Sequence, residues 1–377
     1  MKLLPIKDKI MTPRLTDEEF ELVNAGYVLD SNYYQDHTHP EFQYLRALYE
    51  ILSHGDEKAL FDSSTKNEMS DRKIKSKFGY QMRFPLSEGF PIYTTKKVFY
   101  RGAFEEMLWF IKDGGNITPL LQKNVHIWDE WAWKYFQGLT EREKDAYDYE
   151  AETKGYSTDT QEEFINFLTS TGTDFSIPLH YTNFTSWKYN KLELSKDCSG
   201  FEYTGKTLNQ MNWVVTQLPK RPERKSYYVT CWNPTEAYQM AEECGRESVV
   251  IVACHTDHLV NISGGKLNLR VSIRSNDMFL GNPFNVAQYA LLTHMYAFLT
   301  GYPVGDLVVN IDDAHIYSNH FEQAREQIIR KPLPLANFSI VDRGQKRMED
   351  FVYEDFLLEN YESHKPIKGD ITTVGGY

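Results

Sequence analysis

At 377 residues, 41% hydrophobic and 25% charged, the chain is long enough for one large domain or two small ones, of ordinary soluble composition. A net charge of −12 argues against nonspecific binding to nucleic acid or an anionic membrane, so an anionic ligand would need a local basic pocket. No run approaches a membrane span and no apolar leader opens the chain, so Cys198, Cys231, Cys244 and Cys254, which show no CxxC or zinc spacing, are expected as thiols in the cytoplasm, with no metal.

In chain order, residues 1–39 are polar and acidic and read as an N-terminal extension, with Asp17–Leu22 a short helix candidate. Tyr44–Leu48 opens the first helix of the body. Glu105–Ile111 is helical in pattern and stops at Asp113-Gly114-Gly115-Asn116. Residues 134–175, charged and Tyr-rich, look like an inserted small helical lobe. Met211–Leu218 is a helix ended by Pro219. Tyr227–Trp232 and Leu267–Ile273 read as strands, and Ser263-Gly264-Gly265-Lys266 as a hairpin turn. Val286–Thr300 is apolar all round, the mark of a buried central helix, and Gly301 stands where a C-cap glycine belongs. The order is α+β, with one twisted, mostly antiparallel or mixed sheet.

Ser248–Ala253 is a β-branched apolar run that ends abruptly in Cys254-His255, and reads as a buried strand ending in a thiol. Twenty residues on comes Arg274-Ser275-Asn276-Asp277, then Asn285. Taken alone, Cys254 could be an inert core hydrophobe. In this company it has the ingredients of a nucleophile with an anion clamp.

The wider pattern resembles the thymidylate synthase family. The likeness runs from Pro40-Glu41-Phe42 through Phe78-Gly79-Tyr80-Gln81-Met82-Arg83-Phe84 and Phe90-Pro91-Ile92-Tyr93-Thr94-Thr95-Lys96-Lys97. It continues through Glu105–Phe110, Ile127-Trp128-Asp129-Glu130-Trp131-Ala132 and Asp313-Ala314-His315-Ile316-Tyr317, and ends at Tyr361–Lys368. It implies a catalytic domain over 40–377 interrupted by the 134–175 insert. It also implies a large twisted mixed sheet with packed helices, and a homodimer formed through that sheet.

The resemblance assigns roles residue by residue. Cys254 is the nucleophile that adds to C6 of the uracil in dUMP, and Glu106 the general acid/base. Arg274 touches both the sulfur and the phosphate, and Ser275 is a second phosphate ligand. Arg224 and Lys225 reach the neighbouring subunit's phosphate, with Lys225 where most members have arginine. Arg72 stands for a phosphate-binding arginine, although the Gly/Thr-rich loop that usually follows is missing. Asn285 reads uracil, His315 and Tyr317 the sugar hydroxyl, and Asp277 the pterin. Trp128 and Trp131 flank the folate, and Tyr181 lies in a segment that has lost the family's Tyr-Gly-x-Gln-Trp-Arg pattern. His255 is either a structural histidine or a positioner of catalytic water. Gly375-Gly376-Tyr377 would close over the folate.

The implied reaction transfers a one-carbon unit from 5,10-methylenetetrahydrofolate to C5 of dUMP. Departures from the pattern favour water capture and a 5-hydroxymethyl product. These are Ile273 in place of glutamine, Asn276 as in a cytosine hydroxymethylase of the family, and the altered Arg72 and Tyr181 segments. The retained Trp128 and Trp131 favour the alternative, dTMP with dihydrofolate. A catalytically silent nucleotide- or RNA-binding homologue is the third reading.

Overall fold

Alternating burial along Lys266–Asp277 shows how the core is built. Leu267, Leu269, Val271 and Ile273 are buried, and the residues between them are half-buried, as a strand with one covered face requires. The computed structural model describes residues 39–61, 68–112, 114–194, 201–237 and 250–370. The Asp17–Leu22 helix candidate, Cys198, Cys244 and the C-terminal Gly375-Gly376-Tyr377 lie outside them.

The elements are α1 (Phe42–His54), β1 (Asp56–Phe61), β2 (Glu68–Pro85), α2 (Tyr100–Lys112), α3 (Thr118–Gln122), α4 (Asp129–Gln137), α5 (Glu141–Thr153) and α6 (Gln161–Thr171). Then come β3 (Trp187–Leu194), β4 (Phe201–Leu208), α7 (Gln210–Gln217), β5 (Tyr228–Thr230), β6 (His255–Ser263) and β7 (Lys266–Asp277). Helix α8 (Gly281–Thr300), β8 (Val304–Tyr317), α9 (Phe321–Ile328), β9 (Asn337–Ile340) and β10 (Phe356–Glu359) complete the order.

Six strands form one sheet in the order β1-β2-β8-β7-β6-β5. All neighbours are antiparallel except β7 and β8, which run parallel, so the sheet is mixed as expected. The β6–β7 hairpin turns at Gly264 and Gly265, with φ of 59° and 74°, a pair of left-handed residues that matches strand twist. Central helix α8 packs on α2 and β7 and ends at Gly301 with φ 75°. It is not apolar throughout: Asn282, Gln288 and Thr293 are fully buried on it. The α4–α6 stretch joins the same hydrophobic cluster through Phe136, Phe164, Phe167 and Phe175.

Glu41, 2% exposed, ties the start of this body together. Its carboxyl accepts from the backbone N–H and hydroxyl groups of Thr94 and Thr95 at 2.6–2.8 Å. Those four bonds offset the cost of removing the carboxylate from water.

Candidate active site

Strand register brings the chemistry to one edge of the sheet. β6 starts where β7 ends, because the two are antiparallel, and β8 ends there as well, because it runs parallel to β7. His255 thus pairs with Ile273, Asp277 with His315, and Ser275 with Asp313.

Cys254 lies just outside the ladder, which corrects the expected strand running up to the thiol: residues 250–254 are irregular and β6 begins only at His255. The backbone donors here go elsewhere. Val250 N–H donates to the Pro178 carbonyl at 3.0 Å, Ala253 N–H to His180 Nδ1 at 3.3 Å, and Cys254 N–H to the Tyr181 hydroxyl at 3.1 Å. Residues 178–181 therefore supply the bonds that a neighbouring strand would have made. The Cys254 carbonyl joins the β7 backbone, accepting from Arg274 N–H at 2.8 Å.

Arg274 lies along this segment. Its Nε and Nη2 are 3.5 and 3.4 Å from the carbonyls of Ala253 and Val252, and its guanidinium sits 5.8 Å from the Trp232 ring. Burial pushes the Cys254 thiol up, Arg274 opposes that shift, and the Glu106 charge adds to it. The thiol therefore rests protonated at neutral pH and needs a partner to lose its proton.

Helix α2 presents Glu106 to the site. Its carboxyl accepts from Trp128 Nε1 at 2.6 Å and from Gln288 Nε2 at 2.5 Å, and burial pushes its pKa up to about 7 against those two bonds. A carboxyl poised near neutrality suits proton transfer. Glu105, which the helical pattern turns toward solvent, is instead 3% exposed, because Lys123 pairs with it at 2.6 Å.

Asn285, on the first turns of α8, accepts at Oδ1 from Asn276 Nδ2 at 2.7 Å and donates to Gln288 Oε1 at 3.3 Å. His255 lies beneath, 5% exposed, between the rings of Tyr181 and Tyr289. Burial lowers its pKa to about 4, with a hydrogen bond to Asn285 opposing, so it is neutral at pH 7. Its Nδ1 makes no hydrogen bond among the described residues.

On β8, His315 and Tyr317 share a face, with ring centroids 5.2 Å apart. Burial together with the charges of Asp277 and Cys254 suppresses ionisation of Tyr317, so these groups are electrostatic neighbours. One oxygen of Asp277 accepts from the N–H groups of Phe279 and Leu280 and shapes the turn into α8. Trp128 is 7% exposed, packed near Trp109 and Tyr181, while Trp131 is half-buried with the Lys134 ammonium 5.0 Å from its ring centroid.

Two of the expected phosphate residues, Arg224 and Lys225, are not brought in. Residue 72 lies within β2, a strand rather than a loop. Arg224 and Lys225 precede β5, and the pairing of Tyr228 with Leu259 and Thr230 with Asp257 carries them away from Cys254. Within one subunit they stand apart from the site.

Sequence reasoning missed Lys96 and the buried amides. Lys96 is 6% exposed, its ammonium donates to the Phe279 carbonyl, and it stands 3.6 Å from the Phe279 ring centroid. Burial lowers its pKa to about 7, with Asp277 opposing. Gln288 had a local signal, a lone amide inside an otherwise apolar helical run; Lys96 had none.

A partly buried thiol near a guanidinium, a carboxyl with a pKa near 7 and amide, imidazole and phenol groups gather at one end of a mixed-sheet α+β scaffold, an arrangement chemically suited to covalent nucleophilic catalysis. The family model "Thymidylate synthase" matches residues 42–373, and a thymidylate synthase of Mesoplasma florum is 34% identical over 330 residues, 87% of this chain and 99% of that relative. The chain belongs to the thymidylate synthase family. Members of that family use methylenetetrahydrofolate as co-substrate.

Proposed function

We propose that the chain transfers a one-carbon unit from 5,10-methylenetetrahydrofolate to C5 of dUMP, with dTMP and dihydrofolate as products. The observation that carries this reading is the convergence of Cys254, Glu106 and Asn285 on one end of the sheet. Cys254 adds to C6 of uracil, which is electron-poor because it is conjugated with the C4 carbonyl, and C5 becomes nucleophilic. Arg274 supports the thiolate. Glu106 exchanges protons with the C4 oxygen and the folate through water. Asn285 reads the base, and His315 and Tyr317 read the sugar. When bound, the folate supplies the carbon and then a hydride; Trp128, Trp131 and Asp277 would hold it.

Two departures that favoured the hydroxymethyl product have other work in the fold. Ile273 is fully buried in β7, and Asn276 holds the Asn285 amide. The reading of hydride transfer rests on the 34% identity to a thymidylate synthase and on the retained Trp128 and Trp131. The test is mass spectrometry of the nucleotide formed from dUMP and methylenetetrahydrofolate, with near-ultraviolet detection of dihydrofolate. Methylated nucleotide and dihydrofolate in equal amounts are expected. A C5 substituent carrying oxygen from labelled water, with tetrahydrofolate released, would establish the hydroxymethyl route instead, and absence of turnover would leave a binding homologue.

The active unit is proposed to be a symmetric homodimer through the open sheet face. Tyr228 on β5 is 48% exposed, in the sheet row of Leu259, Arg270 and Arg83 and opposite the buried Val229, which supports a covered face in an assembly. Arg224 and Lys225 would then complete the partner's phosphate site.

A further inference from the structure

The amide of Asn285 belongs to a longer line of side chains with a single hydrogen-bond direction. Beyond Asn276, Asn282 Nδ2 donates to Asn276 Oδ1 at 2.7 Å, and the Tyr93 hydroxyl donates to Asn282 Oδ1 at 2.8 Å. At the other end, Gln288 donates to Glu106. Tyr93, Asn276 and Asn282 are 1%, 2% and 0% exposed, so no water is at hand to relieve a mispaired link.

We propose that Asn276 and Asn282 are specificity-determining positioning residues: they hold the Asn285 amide in the one orientation that complements uracil and refuses cytosine. The proposal rests on the reading of Asn285 as the residue that contacts the base. A primary amide has an accepting end and a donating end. In its ionised form Glu106 only accepts, so it fixes Gln288 with Nε2 toward it and Oε1 toward Asn285. Asn285 must then turn Nδ2 to Gln288 and Oδ1 to Asn276, and Asn276 must turn Nδ2 to Asn285 and Oδ1 to Asn282. Uracil offers a donor at N3 beside an acceptor at O4, and cytosine offers the reverse. Accepting cytosine would require Asn285 to flip, setting oxygen against oxygen at Gln288 and amino against amino at Asn276. The whole line would have to invert to relieve this.

The test measures Kd and kcat/KM for dUMP and dCMP in Asn276→Asp, Asn282→Leu and Asn285→Asp. Asn276→Asp puts an oxygen against Asn285 Oδ1. It is expected to lower the dUMP-over-dCMP preference by about tenfold to a hundredfold, the size of one mispaired buried polar contact. Asn282→Leu frees Asn276 to turn and should give a smaller fall in the same direction. A merely structural role would lower both nucleotides equally and leave the ratio fixed. An unchanged ratio in both relay variants, with Asn285→Asp still shifting it, overturns the relay and leaves the base reading standing. An unchanged ratio in Asn285→Asp overturns the base reading itself, and the relay with it. Should Asn276→Asp fail to fold, Asn282→Leu and Tyr93→Phe apply the same criterion from the far end.

Discussion

Cys254 and Glu106 divide the chemistry between a thiol that rests protonated and a carboxyl poised near neutrality. Cys254→Ser is expected to drop turnover below a few per cent while dUMP binding stays within a few-fold, because an unassisted hydroxyl is a far weaker nucleophile. Steady-state assay paired with calorimetric titration checks both halves. With the Glu106 pKa at about 7, kcat/KM should show an ionisation near pH 7 that disappears in Glu106→Gln. At this scale the long ordered motifs named Cys254, Arg274, Asn285 and Tyr317, and the fold gathers those residues at one end of the sheet; their roles remain part of the proposal. The sequence was not legible where the partner is remote. The bond from Gln288 to Glu106 spans 182 positions, and the burial of Glu105 depends on Lys123, which no local pattern announces. Lys96 stands in the Phe90–Lys97 motif, yet nothing in its neighbours foretells an ammonium held against the Phe279 ring.

Elements were read more reliably than single contacts, because periodicity and turn chemistry are local. Helix α8, its glycine cap and the β6–β7 hairpin follow directly from apolar runs and paired glycines. The stretch before Cys254 has the same apolar signature as a strand, but side chains of the 180–184 turn take its donors, so composition alone misassigned it. The cap offers a clean measurement. Gly301 has φ 75° and nothing within 4 Å of a Cβ built there, so Gly301→Ala would add only the left-handed backbone penalty. A loss of about 1 kcal/mol is expected by denaturant unfolding, with turnover unchanged. Removing the Glu41 carboxyl should cost far more. Glu41→Ala leaves four donors of Thr94 and Thr95 unpaired in a buried place, and a loss of about 3 kcal/mol or more is expected in the same assay.

For the molecule as a whole, acid stability should be governed by histidines. Burial lowers the pKa of His180, His255 and His294 to about 4 and of His258 to about 3, from 6.5. Each is neutral in the fold and takes up a proton on unfolding, so stability present above pH 6.5 is lost as pH falls toward 4. The slope is about 1.4 kcal/mol per pH unit for each histidine. Glu106 acts oppositely, since its pKa is raised from 4.5 to about 7 and stability falls as pH rises through that window. Four histidines outweigh one carboxyl, so unfolding free energy should decline steeply between pH 6.5 and 4, and His258→Phe should flatten the decline. Assembly is tested by mixing. Cys254→Ser and Arg224→Ala subunits, each inactive alone, should regain activity together, because their defects fall in different sites of the mixed dimer.

Strand order also dictates when the sheet can exist during synthesis. β8 lies between β2 and β7, yet it is the last of the six strands to leave the ribosome, and it pairs Ile74 with Tyr317 across most of the chain. Until then the hairpins β1–β2 and β6–β7 wait as separate pieces with open edges, and the ends of β7 and β8 that carry Asp277 and His315 cannot meet. A nascent chain stalled at residue 300 should therefore be protease-sensitive and unable to bind nucleotide, and one stalled after α9 has emerged should become protected in a single step. Chaperone demand should peak in that interval, when two exposed strand edges await one late insertion.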